Sequence, residues 1–173
     1  MSRRVWVAVA AAVIVAVAIV AFVAYGGLGH GGTPRQQLAA WTGDTGLGQD
    51  LGALHHDSLN VERVLADHRG TGAVHTVCGV LSVTAQAAHD SLPSPDTRTT
   101  QLLARAYTLY YEAANDCYTA GATGTRLLRR SARERAAAAH DVSLALARIH
   151  EVAGVSVATT TTTQPTAGTG LFG

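Results

Sequence analysis

The sequence predicts an all-α protein, in which an N-terminal transmembrane helix precedes an antiparallel up-down-up-down four-helix bundle. Residues 5–25 form an uninterrupted apolar run. As a helix, this run spans about 30 Å, which is the thickness of the hydrocarbon core of a bilayer. Over residues 49–154, apolar residues recur in steps of three and four in four segments, as in amphipathic helices. Short loops between such helices favour antiparallel packing.

The apolar run is predicted to be a retained signal-anchor, so that residues 1–25 comprise a cytoplasmic stub and the membrane helix. Arg3 and Arg4 precede the run and no Lys or Arg follows it until Arg35. The positive-inside rule therefore places the N-terminus in the cytoplasm and the remainder outside. The alternative is a cleaved signal peptide and a secreted product that begins near Gly26, but the run is longer than a usual h-region. The two arginines also resemble, weakly, a twin-arginine export signal.

Residues 26–48 are predicted to form a Gly-rich tether that carries a short helix. The tether begins with five glycines among seven residues, a composition typical of flexible linkers. Thr33 is expected to cap the short helix and Pro34 to occupy its first position. The helix is expected to end by Trp41, because Gly43 begins a second glycine-rich stretch.

The bundle is assigned to residues 49–154, and its four helices are predicted from periodicity and from their end signals. The Val-rich start of the second helix, Val74 to Val83, is also compatible with a strand, but its length favours a helix. Ser94 is expected to cap the third helix, and Gly121 to end it. The four predicted helices run from about Leu51 to Leu65, Val74 to Leu92, Pro95 to Gly121 and Arg126 to Ala153.

Residues 155–173 are predicted to be a disordered tail. Five consecutive threonines occupy positions 159–163 and a proline follows at 165. Such Thr-rich runs with Pro resemble O-glycosylated stalks.

Cys78 and Cys117 are predicted to form a disulfide, because both lie outside the membrane, where thiols oxidise. An extended connection over residues 92–95 lifts the start of the third helix by about 12 Å and brings the two cysteines level. The alternative is a pair of buried thiols that act as small apolar side chains.

The turn and the cysteines also carry a resemblance. Cys78, the Leu-Pro-Ser-Pro-Asp turn at 92–96, and Ala113-Ala114-x-x-Cys117 with Gly121 after it are similar to small exported or membrane-anchored helical proteins of actinobacteria, a group largely without assigned function. The resemblance covers about residues 51–154. It implies the helical fold and the disulfide, and it transfers no catalytic residue.

Histidines are the weak candidates for metal ligands. The predicted bundle places four of them near one end, beside acidic residues: His55, His56, His89 and His150. Adjacent helix positions lie about 100° apart, so His55 and His56 do not easily face one ion. His68 and His75 flank the opposite turn, but two ligands make no divalent-metal site. No metal site or cofactor is therefore predicted, and a metal- or haem-binding module at the His-rich end is the alternative.

Arginines form the most distinct electrostatic feature. Five of them lie in the opening turns of the last helix, whose N-terminus is already positive: Arg126, Arg129, Arg130, Arg133 and Arg135. The hairpin is expected to place Glu112 and Asp116 opposite Glu134 and Arg130. Two acidic residues do not neutralise five arginines, so the cluster is either a solvated helix face or a surface for an anionic partner.

Composition and motifs limit the functional class. The chain has 13 basic and 12 acidic residues, and this near-neutral balance excludes the basic footprint of a nucleic-acid-binding protein. No Gly-x-Ser-x-Gly nucleophile elbow occurs. The sequence therefore predicts a non-enzymatic interaction or structural module of the cell envelope. Its expected partners are the membrane, through residues 5–25, and an envelope protein or other anionic molecule.

Overall fold

The structure, a computed structural model, describes residues 32–159, and within that range it contains five helices and no strand. The all-α class is therefore confirmed. The chain divides into two units, Met1–Thr33 and Pro34–Gly173, and the helices belong to the second. In chain order they are α1 (Pro34–Asp44), α2 (Leu47–Ala66), α3 (Thr71–His89), α4 (Thr97–Ala120) and α5 (Thr125–Ala153).

None of the helices between residues 32 and 159 is both long and apolar enough to cross a bilayer. The predicted anchor at 5–25, the first part of the tether and the Thr-rich tail from residue 160 lie outside the described residues.

Helices α2 to α5 pack together as a helical bundle. The Val-rich start of α3 is helical, so length was the correct criterion there. The side chains that line the bundle are mostly small, and eight of the buried core residues are alanines. The largest fully buried apolar side chains are Tyr107, Leu38, Leu47, Leu54, Leu81, Leu103, Ile149, Val61 and Val74.

Helices α4 and α5 run antiparallel and are joined by polar side chains. Arg148, late in α5, bonds Asp96 at the start of α4, with 3.1 Å between Nη2 and Oδ1. Arg105 forms a bidentate pair with the buried Asp141, in the middle of both helices. The Ser131 hydroxyl donates to a backbone carbonyl of α4 at 2.7 Å. These contacts fix the register of the hairpin.

Helices α3 and α4 are joined by the cystine. Cys78 and Cys117 are fully buried, and their Cα atoms lie 5.9 Å apart in the disulfide-bonded pair. On the other side of α3, the Thr84 hydroxyl donates to Asp57 of α2 at 2.7 Å.

The short helix α1 is part of the same hydrophobic core. Leu38 is completely buried. The Arg35 Nε donates to the Ala153 carbonyl at 3.0 Å, and the Trp41 Nε1 donates to the Ser91 carbonyl at 3.3 Å. Helix α1 is thus tied to the end of α5 and to the α3–α4 turn, although the sequence grouped it with the tether.

The boundary between α1 and α2 differs from the prediction. Helix α1 continues past Trp41 to Asp44, and α2 already begins at Leu47. Thr45 and Gly46 make the turn, and Gly46 has φ 68°, a left-handed conformation that glycine adopts without strain. The completely buried Leu47 then draws the start of α2 into the core.

Ser94 does not cap α4, contrary to the prediction. Asp96 is the cap, and its carboxylate accepts from the Thr99 backbone N–H and from the Thr99 hydroxyl, both at 2.8 Å. The Ser94 N–H instead donates to the Thr100 hydroxyl at 2.9 Å. Asp is as good a cap as Ser, and the additional pair with Arg148 favours Asp96 here. The predicted stop at Gly121 is confirmed by its φ of 55° and by its position as C-cap.

The start of the predicted tail packs on the bundle. Val155 and Val157 lie partly buried against the core. A Cβ at Gly48 would collide with the Ala158 backbone oxygen, so glycine is required there by the close approach of this segment.

We expect reduction of the Cys78–Cys117 bond to lower the free energy of unfolding. The two cysteines are separated by 39 positions in the sequence. For a loop of that size, a disulfide stabilises the folded state by about 2–4 kcal/mol. Urea titration with and without a reductant measures the difference. The double variant Cys78→Ser/Cys117→Ser should have the same free energy of unfolding as the reduced native chain. If protein from an oxidising compartment, unfolded without a reductant, contains two free thiols, the bond is contradicted.

We expect the Arg105–Asp141 pair to make stability acid-dependent. Hydrogen bonds from Arg105 hold the pKa of Asp141 below its ordinary value, against the effect of burial. The stabilisation is therefore complete above the usual carboxyl pKa of about 4 and is lost as pH falls through the lower folded-state value. Asp141→Asn should lower the Tm by several degrees at pH 7, and its Tm should approach that of the native chain at pH 2. Thermal melts from pH 2 to 7 test this.

The matched control is Asp44→Asn, which alters an exposed carboxylate at the end of α1. It should leave the Tm unchanged at both ends of the pH range. An equal Tm for native chain and Asp141→Asn at pH 7 would show that the pair contributes no net stability.

Candidate functional site

The four histidines proposed as weak metal ligands are all exposed. The Nδ1 atom of His56 lies 3.4 Å from Asp57 Oδ1 and 3.2 Å from the Asn60 amide nitrogen. Among residues 32–159, no group of three or more His, Cys, Asp and Glu side chains is placed to hold a metal ion. His55, His89 and His150 therefore do not complete a site with His56.

At the opposite end of the bundle, His75 stacks on Tyr118 with ring centroids 4.2 Å apart and planes 19° apart. His68 lies within the α2–α3 connection, residues 67–70, and has a positive φ of 50°. The contact of His75 is thus an aromatic one that links α3 to α4.

A shallow groove between α3 and α4 is the most apolar cavity described. Its volume is about 180 Å³, below the 300–1,000 Å³ of usual small-molecule sites. The groove is lined by Ala85, Gln86, His89, Tyr107, Thr108 and Tyr111. It is too small for a haem group.

The five arginines at the start of α5 have three different environments. Arg135 is only 5% exposed. Its Nη1 donates to the Ser58 carbonyl at 3.0 Å and lies 2.9 Å from Glu62 Oε1. It ties α5 to α2 and is unavailable to a partner.

Arg130 is paired, as the sequence predicted. Its Nε lies 3.2 Å from Asp116 Oδ2 across the hairpin and 2.8 Å from Glu134 Oε1 within α5. Hydrogen bonding to Glu134, together with the charges of Asp116 and Glu112, raises the pKa of Arg130. Of the two acidic residues of α4, Asp116 contacts this arginine and Glu112 acts on it through its charge.

Arg126, Arg129 and Arg133 form the arginine stripe, on one face of α5. All three are exposed, and within residues 32–159 none has a hydrogen-bond or ion-pair partner. The first turn of α5 contains no acidic residue, and its N-cap, Gly124, provides no side-chain cap. Like charges three or four residues apart and cations at a helix N-terminus are both unfavourable.

The arginine stripe lies far from the start of α1. Arg35 at that start bonds Ala153 at the end of α5, whereas Arg126 lies in the first turn of α5. A helix rises 1.5 Å per residue, so the two ends of α5 are about 40 Å apart. The stripe and the start of α1 occupy opposite ends of the bundle.

Guanidinium groups at this spacing can bind anions. Arg presents planar, bidentate donors that match carboxylate and phosphate oxygens. The stripe contains no general base or nucleophile, so the chemistry it supports is recognition rather than bond cleavage.

Sequence reasoning identified Arg130 with Asp116 but missed the pairs Arg105–Asp141 and Arg148–Asp96. The sequence contained a signal for them, because the two residues of each pair lie nearly the same number of positions before and after the turn at Gly121 to Gly124. Matching residues at equal sequence distances from that turn finds all three pairs.

Comparison with known proteins identifies no relative: no family model, curated protein or solved structure matches this chain.

Proposed function

We propose that this chain is a single-pass, membrane-anchored helical module of the cell envelope whose arginine stripe binds an anionic partner outside the membrane. The role is one of interaction and not of catalysis. The observation that carries the proposal is the set of three exposed guanidinium groups on one face of α5, none of which has a partner among the residues that the structure describes.

The stripe lowers the stability of α5 in the isolated chain, and this supports a binding role. Repulsion among the three arginines and with the helix dipole destabilises the start of α5. Nearby acidic residues offer no relief, because Asp116 and Glu134 contact Arg130 instead. An anion would relieve both effects at once, and it would gain bidentate hydrogen bonds.

The stripe suits a partner that offers several anionic groups. Three guanidinium groups on one helix face can each make bidentate hydrogen bonds to a carboxylate or a phosphate. An acidic envelope protein or an anionic envelope polymer is therefore the partner we propose.

We expect the anchor to place the helical unit outside the cytoplasm. The test is a reporter enzyme that works only outside the cytoplasm, fused after Gly173. Cells that produce this fusion should show reporter activity. The native chain should remain in the membrane fraction after a high-pH wash. A soluble product that begins near Gly26 would identify a cleaved signal instead, and reporter inactivity would contradict the compartment.

We expect the stripe to control binding to a polyanion. The probe is a heparin column, loaded with full-length protein in neutral detergent, and the measurement is the salt concentration that elutes the protein. Arg126→Gln/Arg129→Gln should elute at about half the salt needed for the native chain, since it removes two of the three cations of the stripe.

The matched control is Arg63→Gln/Arg98→Gln, which removes the same charge from exposed positions outside the stripe. It should elute near the native chain. Equal shifts for the two double variants would reduce the stripe to general surface charge and refute its role as a site.

A further inference from the structure

The outward face of α3 is uncharged along its whole length. From Thr71 to His89 the helix contains no Asp, Glu, Lys or Arg. Two large apolar side chains are exposed there: Val80 at 49% and Val83 at 67%. We define the α3 outer face as Gly72, Thr76, Gly79, Val80, Val83 and Ala87, all exposed or half-exposed.

Packing among residues 32–159 does not require the two glycines of this face. A Cβ added at Gly72 or at Gly79 would meet no atom of those residues within 4 Å. Glycine destabilises a helix interior relative to alanine, so Gly79 is unfavourable in the isolated chain. Close approach of another backbone is the condition under which glycine is needed on a helix surface.

The order of residues on this face is complementary to itself. Consider two antiparallel α3 helices, one from each copy, related by a two-fold axis between positions 79 and 80. A residue of one helix then faces the residue of the other helix for which the two numbers add to 159. Gly79 then faces Val80, Thr76 faces Val83, and Gly72 faces Ala87. Each smaller side chain faces a larger one, which permits the close interaxial distances of about 8 Å found in packed helices.

The two ends of α3 carry opposite charges. Arg69 lies two residues before the first residue of α3, beyond the extended Gly70, and Asp90 directly follows the last residue of the helix. Both are exposed. The Nε atom of Arg69 is 3.9 Å from Asp67, a distant and exposed contact, and the Asp90 carboxylate has no ion pair among the described residues. Antiparallel pairing brings the Arg69 end of one copy to the Asp90 end of the other, whereas parallel pairing would bring Arg69 to Arg69 and Asp90 to Asp90.

From this charge and size complementarity, we infer that the α3 outer face binds a second copy of this chain, as an antiparallel two-fold dimer centred on Gly79 and Val80. A two-fold interface uses the same patch on both copies and must be self-complementary. The inference does not rest on the proposed anchor or on the arginine stripe, which lies on α5.

The first test is the dimer dissociation constant of the full-length protein in neutral detergent, from sedimentation equilibrium. Val83→Arg places two like charges in the interface and should raise the constant at least tenfold. Leu59→Arg, at a side chain that is 42% exposed on α2, is the matched control and should leave it unchanged. Circular dichroism shows whether each variant remains folded.

The second test addresses orientation. Arg69→Asp and Asp90→Arg should each raise the dissociation constant several-fold, and Arg69→Asp/Asp90→Arg should return it close to the native value, because the exchanged charges meet again across the two-fold axis. A general effect of surface charge would not be rescued.

Three results would overturn the inference. A monomeric native chain would mean that another segment of the chain or a different partner covers this face. A Val83→Arg variant that dimerises like the native chain would assign association to another surface, such as the anchor. Failure of the double exchange to rescue dimerisation would exclude the antiparallel arrangement. None of these results bears on heparin binding or on membrane retention, which test the proposed function separately.

Discussion

A core in which alanine is the commonest residue is the constraint on which the rest of this bundle depends. Ala85, Ala113, Ala114, Ala138 and Ala145 are among the buried residues where helices face each other. Small side chains let helices approach closely, but each buries less apolar area than leucine and so contributes less to folding. The cystine and the Arg–Asp pairs supply cross-links between the helices that such a core does not provide. Helix α1 adds a further large apolar residue, Leu38, at one end.

The two surfaces proposed for binding share a physical feature. Each contains residues that are unfavourable for one copy of the chain in isolation: unpaired arginines at the start of α5, and glycine within α3. Simple substitutions would stabilise each helix. An acidic residue in the first turn would stabilise α5, and replacement of Gly79 by alanine would stabilise α3. Because the surfaces lie on different helices, one can bind an anionic partner while the other joins two copies.

The sequence pattern was sufficient to predict contacts between residues whose positions along neighbouring helices can be counted from a turn. The link between Cys78 and Cys117 was predicted from the expected lengths of α3 and α4 and from an extended connection assumed at residues 92–95. Asp116 and Arg130 followed from reflection about the α4–α5 turn, and the same operation would have found Arg105 with Asp141. These contacts connect helices that are neighbours in the chain, so helix geometry determines which residues face each other.

The sequence by itself determined the all-α class, the four long helices and the stop at Gly121, because these depend on local periodicity and on backbone preference. Only the tertiary structure decided which polar groups were used and how. Asp96 caps α4 because Arg148, in α5, also holds it, and Arg135 is buried because α2 offers Ser58 and Glu62 as partners. Helix α1 docks on residues about fifty to more than one hundred positions away. The side chains that satisfy a buried polar group come from distant segments, and no local pattern encodes their position.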